Sequence, residues 1–144
     1  HALALLLTLS NRLHIAIPEV KNKRWLRAEN TGFELRNKTL GIIGFGHTGS
    51  AFAKLANALG MEVLAYDKYR SDYNCTDVEK VDLKEIYKRA DVISLHLPLS
   101  AETTSFINEA AVKKFKKNTI FLKNLLMIQL FVYIMMYNMV IYLF

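Results

Sequence analysis

Hydrophobic and polar positions alternate between two periods along the middle of the chain. Thr39-Leu40-Gly41-Ile42-Ile43 is a short apolar run that stops at Gly44, which predicts a buried strand of a parallel sheet. From Ser50 to Leu59, Phe52, Leu55, Ala56 and Leu59 recur at helical spacing, and Gly60 supplies a stop. Glu62 to Tyr66 reads as a second strand, ending at Asp67. Leu83 to Arg89 places Leu83, Ile86 and Tyr87 on one face of a short helix, and Asp91 to Leu95 is a further strand, closed off by Pro98. Ala110 to Phe115 completes the series as a helix, and Thr119 to Leu122 as a last strand. Strands alternating with helices at this spacing predict an α/β fold, its parallel sheet covered on both faces.

The two ends break the pattern. The chain opens at His1 inside an apolar helical run, Ala2, Leu3, Leu6, Leu7, Leu9 and Leu13. It has neither the basic stretch nor the small-residue cleavage site of a signal peptide, so residues 2–17 read as one helix entered from upstream sequence. At the other end every charged side chain lies at or before Lys123, and Leu125 to Phe144 is a run of 20 almost wholly apolar residues. Three readings stand. The tail is a frameshift or truncation product, favoured because Leu, Ile, Met, Phe, Tyr and Asn are specified by A/T-rich codons. It is a membrane anchor, long enough to cross a hydrocarbon core and preceded by Lys113, Lys114, Lys116, Lys117 and Lys123. Or it is a misread buried element. On the first reading the domain is residues 1–124, and segment 125–144 has no defined place in its fold.

Composition narrows the function classes. The chain has 144 residues, room for one domain, and is 52% hydrophobic and 22% charged, enough to bury a core. A single cysteine excludes a disulfide framework and a cysteine metal cage, and agrees with a reducing, cytoplasmic setting. The net charge of +6 is spread over helix surfaces and loops without interleaved aromatics, which reads as a solvated face and not a nucleic-acid groove.

The candidate chemistry sits where the first strand ends. Gly44-Phe45-Gly46-His47-Thr48-Gly49 follows that strand and opens a helix, and Asp67 closes the next strand 21 residues past the second glycine. Gly44 permits the tight turn, Gly46 lacks the Cβ that would hold a pyrophosphate off the backbone, and Gly49 lets helix and strand pack closely. The amides of His47 and Thr48 are unpaired donors at the positive helix end. The Asp67 carboxylate accepts both hydroxyls of an adenine ribose and repels a 2′-phosphate, favouring NAD over NADP; Lys68 and Arg70 beside it would soften that preference.

Longer stretches carry a resemblance. Ala2-Leu3-Ala4-Leu5-Leu6-Leu7, Trp25-Leu26-Arg27, the segment from Gly32 through Glu34-Leu35 and Lys38-Thr39-Leu40-Gly41-Ile42-Ile43-Gly44, and Ala90-Asp91-Val92-Ile93-Ser94-Leu95-His96-Leu97-Pro98-Leu99 with Glu102-Thr103 resemble the nucleotide-binding domain of the D-2-hydroxyacid dehydrogenases over residues 1 to about 124. The resemblance implies a Rossmann-type doubly wound parallel sheet, here incomplete and limited to the nucleotide-binding domain. It also implies an NAD-dependent oxidoreductase of small 2-hydroxy acids. Phosphoglycerate is favoured by overall similarity, which would place the whole protein in serine biosynthesis. It implies that His96, Leu97 and Pro98 line the nicotinamide-side ribose, while His96 also reads as a strand-end histidine bonded to backbone. Thr103 reads equally as a cofactor contact and as the start of a turn, and Trp25 as a packing anchor against the nucleotide domain. The family places the first helix at a subunit interface, so a homodimer is expected of the intact protein.

The pattern then departs from the family. After Ile120-Phe121-Leu122-Lys123-Asn124 the family continues with a substrate-clamping arginine, where this chain has Met127, and its catalytic glutamate and histidine lie farther on. No histidine follows His96. The resemblance therefore implies a cofactor-binding portion that is inactive by itself. A membrane-anchored dinucleotide-binding protein without catalysis is the alternative. Cys75 lies in a polar loop with no adjacent base, and Asn37-Lys38-Thr39 and Asn74-Cys75-Thr76 match glycosylation sequons, which bear on a secreted protein only.

Overall fold

A computed structural model describes residues 1–70, 73, 76–104, 106–123 and 141–143. Its centre is a sheet with every pairing parallel, built in chain order from β1 (Thr39–Ile43), β2 (Glu62–Tyr66), β3 (Glu79–Lys80), β4 (Val92–Leu95), β5 (Ile120–Lys123) and β6 (Ile141–Leu143). The spatial order is β3-β2-β1-β4-β5-β6, so chain direction across the sheet reverses between β1 and β4. That reversal opens a crevice beyond the carboxyl ends of these two strands.

Five helices accompany it among the described residues: α1 (Ala2–Ser10), α2 (Leu13–Lys21), α3 (His47–Ala58), α4 (Leu83–Arg89) and α5 (Glu109–Val112). Alternate strand residues feed opposite layers. Leu40, Ile42, Val63, Ala65, Val92, Ile120 and Leu122 pack with α1 and α3 through Leu6, Leu9, Phe52 and Ala56. Ile43, Leu64, Ile93, Leu95 and Phe121 pack with α4 and α5 through Ile86, Tyr87 and Ala111. Burial on both faces is why these strands read as nearly unbroken apolar runs. The α/β, Rossmann-type reading therefore holds.

β2 and α4 match their sequence expectations residue for residue, and the Asp82 side chain starts α4 by accepting from the Glu85 amide at 2.9 Å. Other expectations need correction. Residues 2–17 form not one helix but two, α1 and α2, bent by 63°. The Ser10 carbonyl accepts from the distant Phe33 amide at 2.9 Å, and Arg12 turns into the left-handed region at φ 53°. α3 begins at His47, as the glycine motif predicts, but its buried stripe is Gly49, Phe52, Ala53 and Ala56, with Leu55 and Leu59 exposed. Trp25 does not anchor packing: 79% of it is exposed. The tail was expected to have no place in the fold, yet residues 141–143 add β6 to the sheet edge, Phe121 opposite Ile141. Residues 124–140, with the tail's departure from the family at Met127, and Cys75 of the second sequon lie outside the described residues. Among the described residues no single helix is long and apolar enough to cross a membrane.

Where α4 crosses β1, a Cβ on Gly41 would lie 2.6 Å from Cγ2 of Ile86 and 3.1 Å from Cβ of Ala90. A valine there must push α4 off the sheet. Gly41→Val is expected to cost about 1–3 kcal/mol of unfolding free energy in a urea titration, the usual range for overpacking; unchanged stability would contradict this helix–sheet contact.

Candidate functional site

The chain turns sharply out of β1. The Gly44 amide donates to the Tyr66 carbonyl and the His96 amide to the Ile43 carbonyl, both at 2.8 Å, so the ends of β2, β1 and β4 are tied side by side. Gly44 has φ +94°, and a Cβ on it would lie 2.6 Å from the His96 carbonyl oxygen. Only glycine meets both conditions without strain. Gly49, one turn into α3, is as constrained: its Cβ would lie 2.2 Å from the Gly44 carbonyl oxygen.

Gly46 differs from both. Among the described residues, nothing lies within 4 Å of where its Cβ would stand. It is the N-cap of α3, and no side chain caps that helix. The helical ladder starts with the Ser50 amide on the Gly46 carbonyl at 2.9 Å, so the amides of His47, Thr48 and Gly49 precede it. Open space beside these donors at the positive helix end fits a dinucleotide's phosphates.

Asp67 stands across the turn at the end of β2. One carboxylate oxygen accepts from the Phe45 amide at 2.7 Å, and the other from the amides of Tyr69 at 2.8 Å and Arg70 at 2.9 Å. Burial alone would raise its pKa; those three amides and the Arg70 guanidinium outweigh it and hold the carboxyl below its ordinary value. The group is therefore an anion, and the oxygen that accepts from Phe45 keeps acceptor capacity for a hydroxyl.

One cavity of about 290 Å³ gathers most of the sequence-predicted residues: Gly44, Gly46, Asp67, His96, Leu97, Pro98 and Thr103 line it. His47 and Thr48 are exposed on the first turn of α3, outside that lining, and Gly49 is buried beneath the turn. Thr103 spends its hydroxyl on its own loop, donating to the Pro98 carbonyl at 2.5 Å and accepting from the Ser100 amide at 2.8 Å. The turn-starting reading is thus met, and Thr103 is also part of the cavity wall. His96 is not bonded to backbone through its ring: Nε2 pairs with the Ser94 hydroxyl at 2.9 Å. Its ring lies 5.6 Å from that of Phe52, and Nδ1 is buried with no hydrogen-bond partner among the described residues. Burial pushes the His96 pKa down to about 4, so the ring is neutral at pH 7.

Several residues in or beside the cavity escaped the sequence reading as functional groups. Ser94 could have been paired with His96, because residues two apart on a strand share a face. Glu102 was visible only as part of a motif; its contact with Lys68 spans 34 positions and leaves no local trace. Phe106 on the far wall carries no signal beyond hydrophobicity.

The buried histidine makes stability depend on pH. Its folded-state pKa lies below the ordinary value of 6.5, so the unfolded chain binds the proton more readily and acid favours unfolding. Stability should fall as pH drops from about 6.5 to about 4, by on the order of 3 kcal/mol at most. His96→Gln should flatten that slope in urea titrations, most clearly above about pH 5, where carboxylates such as Glu102 do not titrate. An equal slope in the variant would exclude His96 as its source.

The sequence and the fold both match known proteins. The D-isomer specific 2-hydroxyacid dehydrogenase, NAD binding domain, matches residues 3–124. The chain is 38% identical over 118 residues to D-3-phosphoglycerate dehydrogenase of Synechocystis sp., covering 81% of this chain and 21% of that protein. It is 39% identical over 119 residues to hydroxypyruvate reductase of Thermotoga maritima, covering 83% and 39%. The fold superposes on NAD-dependent formate dehydrogenase from Staphylococcus aureus in complex with NAD, with a TM-score of 0.78 at 25% identity, covering 86% of this chain and 38% of that one. The chain thus spans well under half the length of these relatives. With the glycine turn, the acidic residue at the end of β2 and the strand order all in agreement, the chain belongs to the D-isomer specific 2-hydroxyacid dehydrogenases, a family of NAD-dependent oxidoreductases, and carries their NAD-binding domain.

Proposed function

We propose that this chain is the cofactor-holding portion of an enzyme that oxidises the 2-hydroxyl of a small acid, phosphoglycerate being the favoured substrate. The observation that carries the reading is the open face of Gly46 between the uncapped start of α3 and the anionic Asp67. In this reading the amides of His47 and Thr48 hold the pyrophosphate, and the turn at Gly44, with Gly49 packed behind it, sets their position. Asp67 accepts from the adenine ribose hydroxyls. His96, Leu97 and Pro98 form the wall at the nicotinamide-side ribose, and Thr103 braces the loop beyond. NAD, when bound, supplies the acceptor for hydride from the C2 carbon of the acid. A neutral His96 keeps positive charge away from the cationic nicotinamide of the oxidised cofactor.

The remaining catalytic parts are a clamp for the substrate carboxylate and a proton acceptor for the hydroxyl. No charged side chain follows Lys123 and no histidine follows His96, so this chain holds the cofactor without turning over. In the intact cytoplasmic protein, two copies pair through α2. Its Leu13, Ile17 and Val20 recur at i, i+4 and i+7, all exposed, and none of its residues is buried.

Titration of the chain with reduced cofactors is expected to show tighter binding of NADH than of NADPH, and Asp67→Ala to erase that difference. Gly46→Val should abolish binding while leaving the fold intact, because the added side chain enters empty space. The same preparation should give no detectable turnover with NAD and 3-phosphoglycerate. Equal affinities for the two cofactors, or binding retained in Gly46→Val, would defeat the reading. Ile17→Asp should shift the intact protein from dimer toward monomer in light scattering; an unchanged mass would remove α2 from the interface.

A further inference from the structure

The cavity mouth holds an arrangement that the proposed function leaves unused. Asp67 is followed within three residues by two cations, Lys68 and Arg70. Left free, either would pair with a ribose 2′-phosphate and erode the discrimination that the carboxylate makes. Both are engaged elsewhere. The Lys68 ammonium donates to one carboxylate oxygen of Glu102, and the Tyr69 hydroxyl donates to the other at 3.0 Å. The Arg70 guanidinium donates to the Phe45 carbonyl at 3.1 Å. Lys68 and Tyr69 lie on the loop after β2 and Glu102 on the loop after β4, so the cluster joins two loops across the cavity that both line. The hydrogen bond to Glu102 holds the Lys68 pKa above its ordinary value, and the bonds from Lys68 and Tyr69 hold the Glu102 carboxyl below its own.

We propose that Glu102 is a specificity-determining residue for the dinucleotide: it captures the Lys68 ammonium, with Tyr69 as a brace, and so denies a 2′-phosphate the cation that lines the cavity. This rests on the reading that Asp67 meets the adenine ribose. With Glu102 ionised, Asp67, Lys68, Arg70 and Glu102 together carry no net charge. With Glu102 neutralised they carry a net positive charge, and the Lys68 ammonium is free to turn toward the ribose. The ion pair is solvent-exposed, its side chains each 54% accessible, so the effect is modest and screened by salt.

The test is fluorescence titration of the full chain with NADH and NADPH at low and high ionic strength. The proteins compared are the unaltered chain, Asp67→Ala, Glu102→Gln, and Glu102→Gln combined with Lys68→Met. The NADH-over-NADPH preference should fall about five-fold in Glu102→Gln at low salt, in line with an exposed ion pair. It should fall less at high salt and recover in the double variant. A preference unchanged in Glu102→Gln, or a fall that persists in the double variant, overturns the role of Glu102 while leaving the effect of Asp67→Ala intact. A chain that binds neither dinucleotide, or one whose preference survives Asp67→Ala, overturns the underlying reading and the role of Glu102 with it.

Discussion

Gly49 on α3 and the carbonyl of Gly44 stand so close that a side chain on the first would lie 2.2 Å from the oxygen of the second. That approach aims the start of α3 at the ends of β1 and β4. Because α3 packs tightly behind the turn, its first turn starts beside the sheet's reversal point. Because Gly44 takes φ +94°, the chain clears the His96 carbonyl and leaves the end of β4 free to form the opposite wall. Removal of either glycine would displace the donors before any ligand is considered.

Asp67 couples the fold to the site in a second way. By accepting from the Phe45 amide it fastens the glycine turn to the end of β2, and by accepting from Tyr69 and Arg70 it shapes the loop that carries Lys68. The carboxylate is thus kept ionised against burial by its own structural bonds. On the proposed reading, ribose recognition draws on a charge that the loop already holds in place.

The sequence was legible wherever local period and local chemistry agreed. Strand β2 and helix α4 could be read to the residue, the first from an apolar run closed by an acid, the second from a one-sided face. The glycine turn was legible because each glycine answers a separate steric demand, two of them fixed by backbone contacts in the fold itself. Expectations failed where distant partners decide. The helix over residues 2–17 breaks because Phe33 captures the Ser10 carbonyl, a contact that helical periodicity cannot encode. The stripe on α3 passes through Ala53 rather than Leu55, since the small residue sits against the sheet and the larger one faces out. His96 read as a strand-end residue, but its depressed pKa comes from burial among layers that assemble only in the folded chain. Glu102 was invisible as a functional group for the same reason, its partners lying on another loop.

The contrast among the three glycines has a consequence for inheritance. Substitutions at Gly44 or Gly49 strain backbone, and a cell's chaperones and proteases would register them as folding lesions. A substitution at Gly46 meets no neighbour within 4 Å, so quality control has nothing to detect. On the proposed reading, variants at that position would accumulate at normal abundance, folded but unable to hold a cofactor.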